Sequence, residues 1–538
     1  MVEPERGCLR ICMASDFFYP NVGGVENHIY ELGARLVARG HKVVVLTRSY
    51  GATHGRSGVR LLRTGVKVYY APVPAWWRGT SLPTSVCTLA LVRAVLVRER
   101  IDVVHTHQAG SALAHEAAYA AQLLGVPTVY TEHSLMDLRS LSSIALNMMM
   151  AFTLCDAAQV VCVSHCAKEN LVLRAGIDPD MVSVIPNAIN AENFAPVKVS
   201  EHEHAEHDKQ EQDEQEHKQE KQDEPEQEQQ EQEEQQQQPD ENMVTVVLLS
   251  RLVYRKGVDL AVAAIPRLCR SDAKVRFVVG GDGPKRLALE EMREREGLQE
   301  RVEMLGEVPH ERVRAVLARG DVFLNCSLTE GFCIAVVEAA AAGLLVVTTA
   351  VGGIPEVLPR DMLLCAPPTV DGVVAAVTRA LAAVRAAPAP ARQQHRARQH
   401  ARVARMYNWA DVARRTERVY ARALAPPRGP ARGLARHLAR KARLGWAAGP
   451  FWCALALLEA LLLALCALLR PRAAIDPARE VPRSLLPHLC PEAVPTSPPP
   501  PPIQVQGNPC APATAVTTST TPSPTSTVSS SQPKKREM

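Results

Sequence analysis

At 538 residues and 46% hydrophobic content, the chain is too long for a single core and rich enough in apolar residues for two or more folded domains. The net charge of +4 hides an asymmetry: residues 201–242 hold 18 Asp/Glu and 3 Lys, so the remainder is strongly basic, with much of the arginine after residue 390. No nucleic-acid motif accompanies that excess and the 14 cysteines contain no C-x-x-C pair, which argues against nucleic-acid binding and against a disulfide scaffold.

The charged start "MVEPERGCLR" leads straight into a strand and does not read as a signal peptide. Then "RICMAS", "HKVVVLT", "VKVYYAP", "DVVHTH", "PTVYTEH", "AQVVCVS" and "VSVIPN" alternate with helix-length stretches. Continuous apolar strands between helices predict a parallel sheet covered on both faces, a doubly wound unit over 1–196. In such a fold ligands bind at the carboxyl ends of the strands, so the loops there carry the information. The first is "DFFYPNVGGVENHIYELGARL", where Gly23 and Gly24 precede a helix with apolar spacing at Ile29, Leu32 and Leu36. It reads either as a phosphate-approaching loop or as an ordinary turn. "TEHSLMDL" places His133 where a strand ends, a ligand-facing or a merely structural position.

Residues 197–242 offer almost nothing to bury and are expected to be disordered, their histidines at 202, 204, 207 and 217 included. A second alternation follows over 243–385, in "VTVVLLS", "VRFVVGG", "VEMLG", "VFLNCS", "LVVTT" and "LLCAP". Its first loop, "LLSRLVYRKGVDLAV", sets Arg251 and Lys256 around a turn, which reads either as a bidentate fork and a point charge suited to a diphosphate or as a solvated loop. "VGGDGPKRLALE" reads as a tight turn at Gly280 and Gly281. "SLTEGFCIAVVEAAAAGLLVV" brackets a small apolar helix with Glu330 and Glu338, carboxylates that need partners if buried.

C-terminal helices are expected over 386–425, including an amphipathic one over 406–420, then a basic juxtamembrane segment over 426–443. Arg436, Arg440, Lys441 and Arg443 are expected to meet anionic headgroups. Residues 444–469 are long and apolar enough to cross a bilayer; Glu459, their single charge, suits a partner helix better than lipid. The positive flank argues for a cytosolic N-terminal part and a lumenal, disordered Pro/Ser/Thr-rich tail over 470–538.

"EGFCIAVVE", "RLVYRKG", "VIPNAI", the Gly-Gly loop and "VGGIPEVL" together resemble the retaining glycosyltransferases of the GT-B architecture that carry the E-x7-E motif, across nearly all of residues 8–425. More narrowly, "DFFYPNVGGVENHIYEL", "VVHTHQAGSALAHEA" and "LNCSLTEGFCIAVVEAA" are similar to members that transfer N-acetylglucosamine to phosphatidylinositol. The resemblance implies an α/β fold of two doubly wound Rossmann-like domains facing a cleft, the first on the acceptor side and the second binding donor. It implies UDP-N-acetylglucosamine as donor, phosphatidylinositol as acceptor, other membrane subunits as partners, the endoplasmic reticulum as location, and neither metal nor cofactor. Arg251 and Lys256 would neutralise the diphosphate, and Glu338 would hold the ribose hydroxyls. Glu330 would sit against the sugar with the backbone of Gly331 and Phe332, Gly23 and Gly24 would close over the diphosphate, and His133 would orient the sugar. Asp16 is a candidate on the acceptor side. The one Asp-x-Asp pair, Asp178 and Asp180, falls before a strand, at the wrong end of a sheet for a metal-bound donor. A mannosyl- or glucosyltransferase of the same group, or a non-catalytic sugar-nucleotide-binding scaffold, are the competing readings.

Overall fold

In a computed structural model, residues 7–51, 55–77, 79–82, 87–135, 141–196, 243–425, 433–446 and 448–479 are described. The expected acidic insertion, residues 426–432 and the tail from 480 onward lie outside the described residues. The first half contributes β1 (Arg10–Ala14), β2 (Lys42–Arg48), β3 (Gly58–Leu61), β4 (Lys67–Ala71), β5 (Ala75–Trp77), β6 (Thr80–Ser81), β7 (Val103–His107), β8 (Thr128–Glu132), β9 (Gln159–Cys162) and β10 (Val182–Val184). Eight of them form one sheet in the order β10-β9-β8-β7-β1-β2-β4-β3, and β5 with β6 makes a separate hairpin. Every residue of β7 and β8 is buried, His105, His107 and Glu132 included, so both faces of the sheet are covered there. Within the eight-stranded sheet β3 alone of the described strands runs antiparallel, against β4. Its four residues are all exposed, so no apolar pattern in the sequence announced it.

The helices of this unit are α1 (Gly24–Ala38), α2 (Cys87–Arg98), α3 (Ala112–Leu123), α4 (Leu141–Leu154) and α5 (His165–Ala175). The second half forms an all-parallel sheet from β11 (Val244–Leu249), β12 (Val275–Gly280), β13 (Val302–Gly306), β14 (Val322–Asn325), β15 (Leu345–Thr349) and β16 (Leu363–Ala366), in the order β13-β12-β11-β14-β15-β16. Around it lie α6 (Val258–Ser271), α7 (Arg286–Arg295), α8 (Val313–Ala318), α9 (Ile334–Ala341) and α10 (Val370–Ala386).

Then come α11 (Ala389–Met406) and α12 (Trp409–Leu424). The amphipathic stretch expected over 406–420 is thus divided: α11 ends at Met406, and the Asn408 side chain caps a new helix by accepting from Asp411 N at 2.8 Å. The apolar face of α12 returns to the first unit, burying Trp409, Val412, Val419 and Tyr420. Tyr420 Oη pairs with His105 Nδ1 at 2.8 Å, and Glu417 accepts from Arg39 Nε at 2.6 Å with His41 Nε2 at 3.0 Å. Burial alone would raise the Glu417 carboxyl, but the hydrogen bonds from His41 and Arg39 override it and hold it at about 2. A depressed acid contributes stability above its unfolded pKa and loses it as pH falls through the folded value. Replacing Glu417 by alanine is therefore expected to remove about 1–2 kcal/mol at neutral pH, allowing for screening at the partly exposed Arg39, and to flatten the loss of stability between about pH 4.5 and 2. Thermal unfolding across that pH range checks this.

The chain finishes with α13 (Leu434–Ala442) and α14 (Ala448–Leu469). With 22 residues and a mean hydropathy of 2.4, α14 is about 33 Å long, enough to cross a bilayer. Gly449, Ala456, Glu459 and Leu463 are buried, while Leu457, Leu458, Leu461, Leu465, Leu468 and Leu469 remain exposed. The face that carries Glu459 packs on the chain's own first unit, where a partner helix was expected. The expectation of a disordered tail from 470 is corrected at its start. Residues 472–474 form a 3-10 turn, Ile475 is buried, and Ala478 N donates to Arg98 O at 3.0 Å.

Candidate active site

Each sheet has a point where the chain reverses its direction of winding, between β1 and β7 in the first and between β11 and β14 in the second. The sequence-expected residues gather at these two points, where diverging loops leave an opening at the strand ends. In the second unit, the loop after β11 carries Arg251 and Lys256, and the loop after β14 carries Glu330. Leu328 N donates to Arg255 O at 2.9 Å and ties the loops together. The turn closes at Gly257, with φ of +67°, where a methyl group would lie 1.8 Å from Cys326 O. Only glycine fits there.

Lys256 Nζ is ion-paired and hydrogen-bonded to Glu330 Oε1. The same carboxylate oxygen accepts from Ser327 Oγ at 3.1 Å, and that hydroxyl is itself 2.9 Å from Asn325 Oδ1, whose amide donates to Thr348 Oγ1 at 2.8 Å. This polar ladder across β14 and β15 fixes Glu330 just before α9. Arg251 is exposed at the mouth. Glu338, one turn along α9, has no side-chain hydrogen-bond partner among the described residues, and burial pushes its carboxyl up to about 7. The Phe332 ring is in the core against Tyr407, ring centroids 5.6 Å apart, which leaves only its backbone for a donor.

In the first unit, Gly23 is the extended residue before α1. His133 follows β8, and its loop is shaped by Glu132, whose Oε1 accepts from His133 N and Ser134 N, both at 3.1 Å. His133 Nε2 is 3.2 Å from His107 Nδ1, and His28 meets the His133 ring edge-on at 4.6 Å between centroids. Burial, with the neighbouring rings of His28 and His105, holds His133 well below the ordinary histidine range, so it is neutral at physiological pH. Ring nitrogens of His28, His107 and His133 lie within 4.8 Å of one another, a spacing open to a metal ion, although His28 Nδ1 is already 2.9 Å from Asn187 Oδ1.

Asp16, the acceptor-side candidate, lies just past the end of β1 and is bonded within the first unit. It is fully buried, and its carboxylate accepts from Ser111 Oγ at 2.9 Å, Leu113 N at 3.1 Å and Ser81 N at 3.0 Å. Two of those donors, Ser111 and Leu113, lie at the start of α3 and the third on β6, so Asp16 caps that helix and ties it to the hairpin. Asp178 likewise caps a short turn, accepting from Asp180 N at 2.9 Å.

The two lips approach closely. A methyl group at Gly24 would lie 3.6 Å from Ile334 Cδ1, the first residue of α9, and one at Gly331 would lie 3.1 Å from His133 O. The "VGGIPE" loop completes the contact: Gly353 N donates to Glu330 O at 2.9 Å. Glu356 reaches across to cap α5, accepting from His165 N at 2.7 Å and Cys166 N at 2.9 Å. Glu26 on α1 is raised by burial and partly offset by its own backbone and by Arg251 of the opposite unit. Glu26, His28, His107, Glu132 and Glu356 were not singled out in the sequence. The one available signal was charge or imidazole at strand ends and helix starts.

Two sequence families match the two units: Glycosyltransferase Family 4 over residues 22–193 and Glycosyl transferases group 1 over 229–400. The chain is 45% identical to a subunit of the phosphatidylinositol N-acetylglucosaminyltransferase of Arabidopsis thaliana, covering 89% of this chain and 96% of that one. The human protein of the same name is 42% identical, with 77% and 76% covered. A glycosyltransferase from Rickettsia africae has the same fold at a TM-score of 0.59 and 16% identity, over 78% of this chain and 100% of that one.

Proposed function

The chain belongs to the family of glycosyltransferase subunits of phosphatidylinositol N-acetylglucosaminyltransferase, which has the GT-B fold, and from that premise we propose that it transfers N-acetylglucosamine from UDP-N-acetylglucosamine to phosphatidylinositol with retention of configuration, the first step of glycosylphosphatidylinositol-anchor synthesis. The observation that carries this reading is the Lys256–Glu330 pair at the switch point of the second sheet, with Glu338 on the following helix α9 and without a side-chain hydrogen bond among the described residues. Lys256 and Arg251 supply positive charge where the UDP diphosphate gains negative charge as the glycosidic bond breaks. Fixed cations at that point stabilise the transition state without reorganising. Glu338 accepts from the two ribose hydroxyls, and Glu330, held by Lys256 and Ser327, faces the sugar. Neutral His133 orients the sugar from the other lip. The Gly23-Gly24 start of α1 brings a helix N-terminus to the diphosphate.

No metal takes part in this reading. Activity in EDTA is expected to match that in buffer, and a complete loss restored by Mn²⁺ would overturn this point. The chain works as one subunit of a larger assembly, as the names of its relatives state for them. Its helix α14 anchors it to the endoplasmic reticulum membrane with both α/β domains on the cytosolic face. A lumenal tail requires residues 472–479 to leave their dock at Arg98, and the Ala456, Glu459 and Leu463 face of α14 to part from the first domain, on insertion. A C-terminal tag is therefore expected to resist protease in intact microsomes and to be cleaved once they are opened; cleavage in intact microsomes would place the tail in the cytosol. The function itself is tested by expressing this chain in cells that lack the endogenous protein. Transfer of radiolabelled N-acetylglucosamine to phosphatidylinositol is expected; transfer of mannose or glucose instead, or no transfer, would overturn it.

A further inference from the structure

In the described part of the basic segment before α14, Arg440 and Lys441 turn inward, while Arg443 is exposed. Asp156, in the turn after α4, is buried, and three side chains of α13 converge on it: His437 Nδ1 at 2.9 Å, Arg440 Nη1 at 3.2 Å and Lys441 Nζ at 3.1 Å. Lys441 is fully buried; its ammonium also donates to Phe152 O at 2.8 Å and lies 4.0 Å above the Phe152 ring. Arg440 Nη1 reaches Cys155 O as well, at 3.0 Å. Burial would raise the Asp156 carboxyl, but His437 and the Lys441 charge outweigh it and hold it below the usual range.

A lysine meant for headgroups would keep its ammonium in water and bury only its stem. A buried cation with a buried counter-charge and a carbonyl acceptor is costly to assemble and costly to break, which suits a fixed register between two elements. The register is transmitted to α14. Trp452 in its second turn stacks on Phe152 at 4.5 Å, and a methyl group at Gly449 would lie 2.6 Å from Ala442 O, so α13 and α14 meet in a tight elbow. At the other side, α4 leads through β9 to α5, whose first amides sit at the cleft under Glu356.

We propose that Asp156 is a positioning residue: by gripping His437, Arg440 and Lys441 it locks the α13–α14 elbow to the first domain, so the membrane helix and the acceptor lip of the cleft move as one body and the cleft is held where a lipid headgroup reaches it. This inference rests on the reading that the acceptor is phosphatidylinositol in a membrane. A rigid anchor raises the effective concentration of such an acceptor in the productive orientation, and a loose one dilutes it.

The test uses the full chain in microsomes with its partner proteins, offered membrane phosphatidylinositol or a short-chain, water-dispersed phosphatidylinositol. Asp156→Asn keeps the side-chain volume and removes the charge. Lys441→Met removes the charge from the other partner. Each is expected to lower transfer to the membrane acceptor about tenfold or more while holding transfer to the dispersed acceptor within about threefold of wild type. Tryptic cleavage after Arg436, Arg440 or Arg443 is expected to accelerate in both. Equal losses on both acceptors in Lys441→Met, or no loss on either, would overturn the proposal. If Asp156→Asn does not accumulate, Lys441→Met decides in the same assay. Failure of the wild-type chain on both acceptors would instead defeat the functional reading.

Discussion

Replacing Lys256 by alanine is expected to lower the rate of transfer by about 10²–10³-fold, the scale of losing one preorganised charge partner in a transition state. Two effects combine. The diphosphate loses a cation as it departs, and Glu330 loses its ion pair and keeps only the Ser327 hydroxyl. Lys256→Arg is expected to recover little, because a planar fork does not reproduce a compact ammonium in a turn closed by Gly257. The change is local, since Lys256 sits in a surface loop and not in either core. Thermal unfolding is therefore expected to shift by only a few degrees, about 3 °C at most. Steady-state rates on purified complex with labelled donor provide the measurement. A variant that keeps more than about a tenth of wild-type activity would remove Lys256 from the mechanism and leave Arg251 to carry the diphosphate.

Glu338→Gln is expected to make the protein more stable and a poorer enzyme. Burial raises the Glu338 carboxyl to about 7 from an ordinary 4.5. For an acid raised in the folded state, the native form binds the proton more tightly than the unfolded chain does. Stability is complete below about pH 4.5 and is lost as pH rises towards 7. Glutamine does not ionise, so the variant is expected to unfold at a higher temperature than wild type at pH 8 and at nearly the same temperature at pH 4. Donor binding moves the other way. A carboxylate accepts from both ribose hydroxyls, whereas an amide offers one acceptor and one donor. Losing a hydrogen bond to a charged group is expected to raise the donor KM by about 10- to 100-fold. An unchanged KM together with the higher stability would mean that Glu338 does not touch the donor. Such opposed effects are characteristic of a site that keeps an unfavourable group for the sake of its ligand.

Much of the fold was legible because its signals are local. The apolar runs that became β2 and β11 carry their burial in their own composition, and Gly23, Lys256 and Glu330 stand in loops that leave the carboxyl ends of strands, where a doubly wound fold puts its ligands. The parts that were missed depend on pairs distant in the chain. The sequence does not show that Ser111 and Leu113 meet Asp16. Arg440 and Lys441 read as headgroup ligands because Asp156 is almost three hundred residues away. The polar ladder beneath Glu330 was hidden for another reason: Asn325, Ser327 and Thr348 look like ordinary strand-end residues until two parallel strands align them.

The Glu356 bridge from the donor domain to α5 has a consequence for timing. The amides of His165 and Cys166 are bonded to a carboxylate of the opposite domain and not to their own helix, so they are released only when the cleft parts. Their hydrogen exchange is then a clock for the opening of the cleft, readable without any label at the active site. A turnover rate that keeps pace with that clock would place the slow event of the cycle in the parting of two domains and not in the breaking of a sugar bond.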